Sequence, residues 1–127
     1  MILERGILIV FEGIDGTGKS SQCGLLSKSL NEMQVPNIAL AEPTRGEWGM
    51  KIRRLLKEGR QGVSPEEELS WFINDRKEDV KKNILPALRK NKVVIMDGDL
   101  QHDPIYIPKL FNKLKKKYRY SCWYKKF

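Results

Sequence analysis

The stretch Gly13–Ser20 has the sequence GIDGTGKS and meets the pattern G-x-x-x-x-G-K-[ST] in full. The apolar segment Ile7–Phe11 precedes it and predicts a strand that is buried on both faces of a sheet. From Ser20 to about Met33, leucines and polar residues recur at helical spacing. A strand, a glycine-rich loop and a helix form the setting in which this pattern holds a polyphosphate. The sequence therefore predicts a P-loop that binds a nucleoside triphosphate.

The residue types of Gly13–Ser20 suit a polyphosphate ligand. Glycines let backbone N–H groups turn inward around phosphate oxygens, and the start of the next helix adds a partial positive charge. We expect Lys19 to reach the β- and γ-phosphates and the Ser20 hydroxyl to coordinate Mg²⁺. The alternative is a glycine-rich turn without a ligand, which the flanking strand and helix disfavour. The residues predicted to hold ATP are Gly13, Ile14, Asp15, Gly16, Thr17, Gly18, Lys19, Ser20 and Ser21.

The length and composition indicate one domain. A chain of 127 residues can form a core of its own. No stretch approaches a membrane-spanning length, and the chain leads straight into the first predicted strand, so we expect neither a membrane span nor a signal peptide. Cys23 and Cys122 lack the spacing of metal ligands and are expected to be free thiols in a reducing cytoplasm, with a disulfide left open. His102 is the only histidine, which excludes a histidine-rich metal site.

The net charge of +8 belongs to the C-terminal end of the chain. Residues 104–127 contain eight of the 24 lysines and arginines and none of the 16 acidic residues. Aromatic residues lie between these charges, a composition that can contact a nucleic-acid backbone or an anionic membrane surface. A solvated helix face followed by an edge strand, or an end without regular structure, is favoured because charge runs are common at termini. Residues 1–103 carry no net charge, so we expect no nucleic-acid partner for the body of the chain.

The rest of the chain predicts strands alternating with helices. A second strand is expected at Asn37–Ala41, a helix at Glu47–Glu58, and a buried third strand at Val93–Met96 that ends in Asp97. Ser64–Glu67 has the pattern of a helix start, with serine at the N-cap, proline in the first turn and glutamate three residues after the cap. This alternation favours a parallel sheet whose ligands lie at the carboxyl ends of the strands.

The helix that begins at Ser64 carries a candidate apolar side. Pro86 is expected to kink or end this helix, with a short continuation through Leu88. At the strand ends, Asp15, Glu42 and Asp97 are the acidic residues placed to meet a ligand. The residues predicted to form the apolar side of the helix are Leu69, Phe72, Ile73, Val80 and Ile84.

About the first 97 residues resemble bacterial thymidylate kinases in sequence and in order. The resemblance implies an α/β fold of the P-loop nucleoside-monophosphate-kinase type, with a parallel sheet and flanking helices, truncated at the C-terminal side. It also implies transfer of the γ-phosphoryl group of ATP to thymidine monophosphate (dTMP) with Mg²⁺, in the cytoplasm, and by analogy a homodimer. The matching segments are Phe11–Gln22, Glu42–Thr44, Trp48–Gly49, Ile52–Arg53, Glu67–Leu69, Phe72–Arg76, Ile84–Leu88 and Val93–Asp97.

The resemblance assigns roles to individual residues. Arg53 matches an arginine that holds the acceptor monophosphate, which suits a guanidinium because it can pair with two phosphate oxygens at once. Phe72 and Arg76, four residues apart on one helix face, match the aromatic that stacks on thymine and the arginine that hydrogen-bonds the base. The implied substrate-binding residues are Asp15, which matches the contact to the deoxyribose hydroxyl, with Glu42, Arg53, Phe72 and Arg76. The implied metal ligands are Ser20 and Asp97, and the implied catalytic residues are Lys19 and Arg53.

Residues 98–127 depart from this resemblance, so we divide the chain into a partial kinase core at 1–97 and a basic, aromatic segment at 98–127. The family follows the Asp97 position with an arginine, a tyrosine and a serine-rich segment, and it needs a mobile lid and two further strands. Residues 94–110 instead resemble the D-x-D segment of polyprenyl-phosphate-linked GT-A glycosyltransferases. Two alternatives to a kinase stay open, a non-catalytic ATP-binding module and, ranked last, a glycosyltransferase fragment.

Overall fold

The computed structural model describes residues 2–14 and 16–98 and contains a parallel sheet with helices packed on it. Its strands follow the order β1-β3-β2, so the last strand in sequence lies between the other two. The sequence-predicted α/β architecture is confirmed for these residues. The elements are β1 (Ile7–Phe11), α1 (Lys19–Glu32), β2 (Asn37–Ala41), α2 (Glu47–Glu58), α3 (Pro65–Asp79), a π turn (Val80–Ile84), α4 (Leu85–Arg89) and β3 (Val93–Asp97).

Strand β3 is the centre of the sheet and of the core. Residues Val93–Met96 are all buried, because β1 and β2 pair with β3 on either edge and helices cover both of its faces. The register aligns Phe11 of β1 and Ala41 of β2 with Asp97, so the three carboxyl ends lie side by side. The core cluster on one face contains Cys23, Val35, Val93 and Ile95, and the cluster on the other face contains Ile84, Ala87, Val94 and Met96.

Strand β1 is less buried than its sequence predicts. A strand buried on both faces was expected, but Ile7, Leu8 and Val10 are each at least 40% exposed. The reason is the strand order, since β1 pairs only with β3 among the described residues and has no described neighbour on its other edge. An apolar run indicates the strand correctly but does not give its position in the sheet.

The predicted apolar side of α3 is also wrong in part. Leu69 is 60% and Ile73 is 45% exposed, whereas Asp75 and Asp79 are buried at 2% exposure each. Hydrogen bonds compensate this burial, because the Asp75 carboxylate accepts from the Thr44 hydroxyl and the Asp79 carboxylate accepts from the Asn83 amide. Ile84, the last residue of the predicted side, is buried as expected.

The helix boundaries agree closely with the capping patterns. The hydroxyl of Ser64 accepts a hydrogen bond from the backbone N–H of Glu67 at 3.1 Å, as the N-cap pattern predicts. A π turn at Val80–Ile84 comes before Pro86, which lies in the first turn of α4, where its missing N–H costs no intrahelical hydrogen bond. Within the described residues, no helix is both long and apolar enough to cross a bilayer.

Candidate active site

The P-loop connects β1 to α1 through a left-handed backbone. Gly16 and Gly18 have φ angles of 80° and 85°, a conformation that glycine adopts without steric cost. Gly18 is the N-cap of α1, and as a glycine it has no side chain to cap the backbone N–H groups at this helix start. These N–H groups and the helix dipole therefore face the position where a phosphate can bind. The local geometry supports the sequence-predicted phosphate loop.

Internal hydrogen bonds close this loop on itself. The Lys19 Nζ atom donates to the carbonyl oxygen of Gly13 at 2.5 Å, and the Thr17 hydroxyl donates to the carbonyl oxygen of Ile14 at 2.7 Å. A Cβ atom on Gly13 would lie 2.9 Å from the Thr17 hydroxyl, so the loop leaves little room for a side chain there. The Lys19 ammonium therefore contacts the loop. A polyphosphate bound in the loop is expected to contact the same ammonium.

Ser20 and Asp97 come together at the end of the central strand. The Ser20 hydroxyl, in the first turn of α1, donates a hydrogen bond to Asp97 Oδ2. A hydroxyl and a carboxylate are the oxygen ligands that Mg²⁺ prefers, and Mg²⁺ commonly takes only one or two protein ligands beside phosphates and water. The described part of the chain offers no cluster of three or more His, Cys, Asp or Glu side chains for a metal. The hydroxyl and carboxylate of this pair fit a Mg²⁺ ion whose other ligands are phosphate oxygens and water.

The Asp97 carboxylate also affects the pKa of Cys23, which lies one turn after Ser20 in α1. Burial raises the pKa of the Cys23 thiol, and the nearby Asp97 carboxylate raises this pKa further. Cys23 lies in the core and has no disulfide partner among the described residues, while Cys122 lies outside them. A thiol with a raised pKa is a poor nucleophile near neutral pH, so Cys23 is a packing residue of this site rather than a reacting group.

The turn after β2 is held by two helices. The backbone N–H and hydroxyl of Thr44 donate to the two carboxylate oxygens of Asp75 at 2.8 and 2.5 Å. The Arg53 guanidinium, from α2, donates to the carbonyl oxygens of Pro43 and Thr44. The Glu42–Pro43 peptide bond is cis. Side chains of α2 and α3 both form hydrogen bonds with this turn, and these bonds hold Glu42–Thr44 in place after β2.

Glu42 and Arg76 form an ion pair at the same turn. The Arg76 Nε atom lies 2.6 Å from Glu42 Oε2, and the side chains are 48% and 14% exposed, respectively. Burial raises the pKa of Glu42, the Arg76 charge opposes this rise, and Asp79 adds to it. The net effect is a raised pKa, because a largely buried carboxylate loses more solvation than one arginine restores.

Known proteins share this sequence and this fold. The family model for thymidylate kinase matches residues 11–100, which include the P-loop, the Glu42–Thr44 turn and Asp97. This chain belongs to the thymidylate kinase family. It is 45% identical over 94 residues to a thymidylate kinase of Leptospira interrogans, covering 74% of this chain and 46% of that protein. It is 48% identical over 93 residues to a thymidylate kinase of Akkermansia muciniphila, covering 73% of this chain and 44% of that protein.

A solved thymidylate kinase supports the same family fold. The crystal structure of the enzyme from Ehrlichia chaffeensis matches with a TM-score of 0.63 and 36% sequence identity, and the match covers 74% of this chain and 53% of that one. The chain spans about half the length of the curated relatives it matches. These matches confirm the resemblance to thymidylate kinases. Over the matched residues, this chain has the fold of that family.

The structure brings most of the predicted site residues of this thymidylate kinase family member to one edge of the sheet. Lys19, Ser20 and Asp97 lie together after β1 and β3, while Glu42, Arg53 and Arg76 surround the turn after β2. Of the other predicted residues, Gly13, Ile14, Gly16, Thr17 and Gly18 form the loop, Ser21 is exposed in the first turn of α1, and Phe72 is half-buried on α3, one turn before Arg76.

Some predictions lie outside the described residues. Asp15, His102, Cys122 and the segment 99–127 belong to this group, and with them most of the glycosyltransferase-like stretch 94–110. The family model extends through residue 100, past the proposed boundary at Asp97, and the two-part division of the chain stays a prediction.

Sequence reasoning missed three residues of the site, namely Thr44, Asp75 and Asp79. Polar residues are usually exposed, so a buried aspartate on a helix is not expected from composition. The sequence nevertheless contained a pattern that points to them, because Asp75 and Asp79 lie four residues apart and flank Arg76 on the same side of α3. Their burial shows that this side of the helix faces the turn after β2 rather than solvent.

Proposed function

We propose that this chain binds Mg·ATP and dTMP and transfers the γ-phosphoryl group from the first to the second. The observation that carries this proposal is the shared edge formed by the carboxyl ends of β1, β3 and β2. A phosphate loop after β1 and an arginine-lined turn after β2 flank Asp97 on the strand between them. Such an arrangement supports a donor nucleotide and an acceptor nucleotide in neighbouring positions, and the family supplies the identity of the acceptor.

The donor site is assigned to the P-loop and Asp97. The backbone N–H groups at the start of α1 bind the β-phosphate, and Lys19 pairs with the β- and γ-phosphate oxygens in place of the Gly13 carbonyl. Ser20 and Asp97 would hold Mg²⁺, which supplies neutralisation of the charge that develops on the transferred group. Ser21, exposed on the first turn of α1, is assigned to the α-phosphate side of the nucleotide.

The acceptor site is assigned to the turn after β2 and to α3. Arg53 donates two of its five N–H groups to the carbonyls of Pro43 and Thr44. These hydrogen bonds fix the orientation of the guanidinium. The remaining donors are assigned to the dTMP phosphate. Phe72 is assigned to stack on thymine, Arg76 to hydrogen-bond the base, Glu42 to orient Arg76, and Asp15 to contact the deoxyribose hydroxyl.

The reaction that these assignments support is a direct in-line transfer. An oxygen of the dTMP phosphate attacks the γ-phosphorus, a new P–O bond forms, and the bond to the β-phosphate oxygen breaks to release ADP. No covalent enzyme intermediate is required. The chain's contribution is positioning and charge stabilisation by Lys19 and Arg53, which account for most of the acceleration in reactions of this class.

A non-catalytic ATP-binding module is the second candidate function. It is favoured by one specific fact, which is that the chain spans about half the length of its curated relatives. The donor site is contained almost entirely in residues 13–20 and 97, so nucleotide affinity can survive where the rate of transfer does not. ATP binding without formation of dTDP would distinguish this function from a kinase.

A thermal melt tests the proposal on the full chain. Saturating Mg·ATP, at about 100 times its Kd, is expected to stabilise the folded protein by about 2.7 kcal/mol, and dTMP is expected to raise the Tm further. Lys19→Ala should abolish the ATP effect, while Lys28→Ala, an exposed lysine later in α1, should keep it. An unchanged Tm in the parent chain, or an equal ATP shift in Lys19→Ala, would contradict the donor-site assignment.

A further inference from the structure

Asp75 is a buried side chain of α3 that holds the turn after β2 by both of its carboxylate oxygens. It is 2% exposed, and its Oδ2 and Oδ1 atoms accept hydrogen bonds from the backbone N–H and the hydroxyl of Thr44 at 2.8 and 2.5 Å. Two parallel hydrogen bonds to one carboxylate fix the orientation of the residue that donates them. Neither bond involves a group assigned to a nucleotide, so the proposed reaction does not by itself account for this buried carboxylate.

Thr44 also contacts α2 on its other side. The Thr44 hydroxyl accepts a hydrogen bond at 3.0 Å from the backbone N–H of Gly46, which is the N-cap of α2. A Cβ atom on Gly49 would lie only 2.1 Å from the Thr44 carbonyl oxygen, so the backbone of α2 approaches this carbonyl with no side chain between them. Thr44 therefore lies between two helices, with its N–H bonded to α3 and its carbonyl directed to α2.

The acceptors of Arg53 belong to this same turn. Its guanidinium donates to the carbonyl oxygens of Pro43 and Thr44, and the Arg53 Nε atom lies 3.3 Å from the Thr44 oxygen. Arg53 is exposed, and an exposed arginine has many rotamers open to it unless acceptors select one. Within the described residues, no hydrogen bond or ion pair joins Asp75 to Arg53 directly. Any effect of Asp75 on Arg53 must therefore pass through Thr44.

We propose that Asp75 is a positioning residue, which orients Arg53 through Thr44 and thereby sets the affinity for the acceptor monophosphate. The orientation of Arg53 follows from the hydrogen bonds alone. The effect on the monophosphate rests on the proposed function, in which the remaining N–H groups of Arg53 bind the dTMP phosphate. A guanidinium binds phosphate best through two parallel hydrogen bonds, so its affinity depends strongly on its orientation.

Asp79 shows that burial on α3 is not enough to connect an aspartate with Arg53. It is 2% exposed, like Asp75, but its Oδ1 atom accepts from Asn83 on the π turn. Its Oδ2 atom has no hydrogen-bond donor among the described residues. The two aspartates are thus equally buried and differ in their donors. The two hydrogen bonds from Thr44 are what connect Asp75 with the turn that holds Arg53.

Three substitutions separate the hydrogen bonds of this connection. Asp75→Ala removes both acceptors of Thr44, and its Kd for dTMP should rise about tenfold. Thr44→Val removes only the hydroxyl and should raise this Kd about threefold, whereas Thr44→Ser keeps the hydroxyl and should restore the affinity to within about twofold of the wild type. Calorimetry with Mg·ATP should give the wild-type Kd for all three variants, because the P-loop lies after a different strand.

A core substitution controls for a general loss of stability. Val35 is 4% exposed and precedes β2, so it lies at the opposite end of this strand from the turn that holds Arg53. Val35→Ala should lower the free energy of unfolding in urea and leave the Kd for dTMP unchanged. An equal loss of dTMP affinity in Val35→Ala and Asp75→Ala would overturn the positioning role. If Asp75→Ala does not fold, equal dTMP affinities of Thr44→Val and Thr44→Ser would overturn it.

A double-mutant cycle tests whether the effect passes through Arg53. In an Arg53→Ala background, the additional change Asp75→Ala should alter the Kd for dTMP by less than about twofold, because the group that Asp75 orients is already absent. A further loss of about tenfold in this background would show that Asp75 acts on the acceptor by another route. That result would overturn the proposal even though dTMP binds.

Proton–nitrogen NMR of the full chain observes the Nε–H group of Arg53 without any ligand. The signal is assigned by its absence from Arg53→Lys. In the wild-type protein it should belong to an ordered side chain that exchanges slowly with water, and in Asp75→Ala it should exchange faster and become more mobile. If the wild type binds no dTMP but this signal responds to Asp75→Ala, the acceptor-site assignment is wrong and the orientation of Arg53 by Asp75 stands. If dTMP binds and the signal does not respond, the proposed function stands and the role of Asp75 is wrong.

Discussion

The ionisation of Glu42 makes the stability of this fold depend on pH. Its pKa in the folded protein is raised above the ordinary value of 4.5, mainly by burial. A carboxyl group with a raised pKa binds its proton more tightly in the folded state. Its contribution to stability is therefore fully present below pH 4.5 and is lost as the pH rises through the folded pKa. Each unit of difference between the folded and unfolded pKa corresponds to about 1.4 kcal/mol.

We expect Glu42→Gln to remove this contribution to the pH dependence. Urea unfolding of the wild-type protein and of Glu42→Gln, measured from pH 4.5 upward, should show the variant gaining stability relative to the wild type as the pH rises. Glu66→Gln, an exposed glutamate in the first turn of α3, is the control and should follow the wild type. A constant difference between wild type and Glu42→Gln across this range would contradict the raised pKa.

At the residue scale, the sequence predicted groups with a pattern of their own and missed groups defined by their surroundings. Lys19, Ser20 and Asp97 could be predicted because a known loop pattern and a strand end assign their positions. Asp75 and Asp79 could not, since a helix with many charged residues does not reveal which of them face inward. Their burial depends on donors from Thr44 and Asn83, which come from distant or later parts of the chain.

At the scale of elements, the closest approach in the site occurs between α2 and the turn after β2. A Cβ atom on Gly49 would lie 2.1 Å from the Thr44 carbonyl oxygen and 2.7 Å from its backbone nitrogen. Gly49→Ala must therefore displace the turn that carries Glu42 and accepts from Arg53. We expect a loss of about 1–3 kcal/mol in the free energy of unfolding and a weaker affinity for dTMP.

Gly24→Ala is the matched control for this substitution. Gly24 lies in α1, and a Cβ atom there would meet nothing within 4 Å, so the higher helix propensity of alanine should stabilise the protein by up to about 1 kcal/mol. In urea unfolding, Gly24→Ala should therefore raise the free energy of unfolding and Gly49→Ala should lower it. Calorimetry should show the weaker affinity for dTMP in Gly49→Ala. Equal stabilisation by both alanines would show that the turn can move away from α2 at no cost.

Element boundaries were predictable because their causes are local. The Ser64 cap, the glycine after α2 and the spacing of apolar residues all act within a few positions of the helix end that they determine. The amount of burial was not predictable in the same way. Ile7–Phe11 and Val93–Met96 are similar apolar runs, and only the strand order makes the second central and the first an edge of the described sheet.

At the scale of the whole molecule, β3 joins two core clusters that share no helix. Val93 and Ile95 face the cluster with α1, and Val94 and Met96 face the cluster with the π turn and α4. Alternate residues of one strand therefore belong to opposite sides of the protein. Both clusters depend on the same five-residue element, so they should lose their structure together.

Substitutions in β3 and β1 test this dependence. Ile95 is fully buried, and Ile95→Ala should cost about 2–5 kcal/mol of stability through lost burial and a cavity. Val10 is 43% exposed on β1, so Val10→Ala should cost about 0.5 kcal/mol. Tryptophan fluorescence and far-UV circular dichroism should give coincident urea transitions for the wild type and both variants, because one central strand serves both faces. Two separate transitions in Ile95→Ala would show that the cluster on the α4 side holds its structure without the other. An equal cost for the two substitutions would contradict the central position of β3.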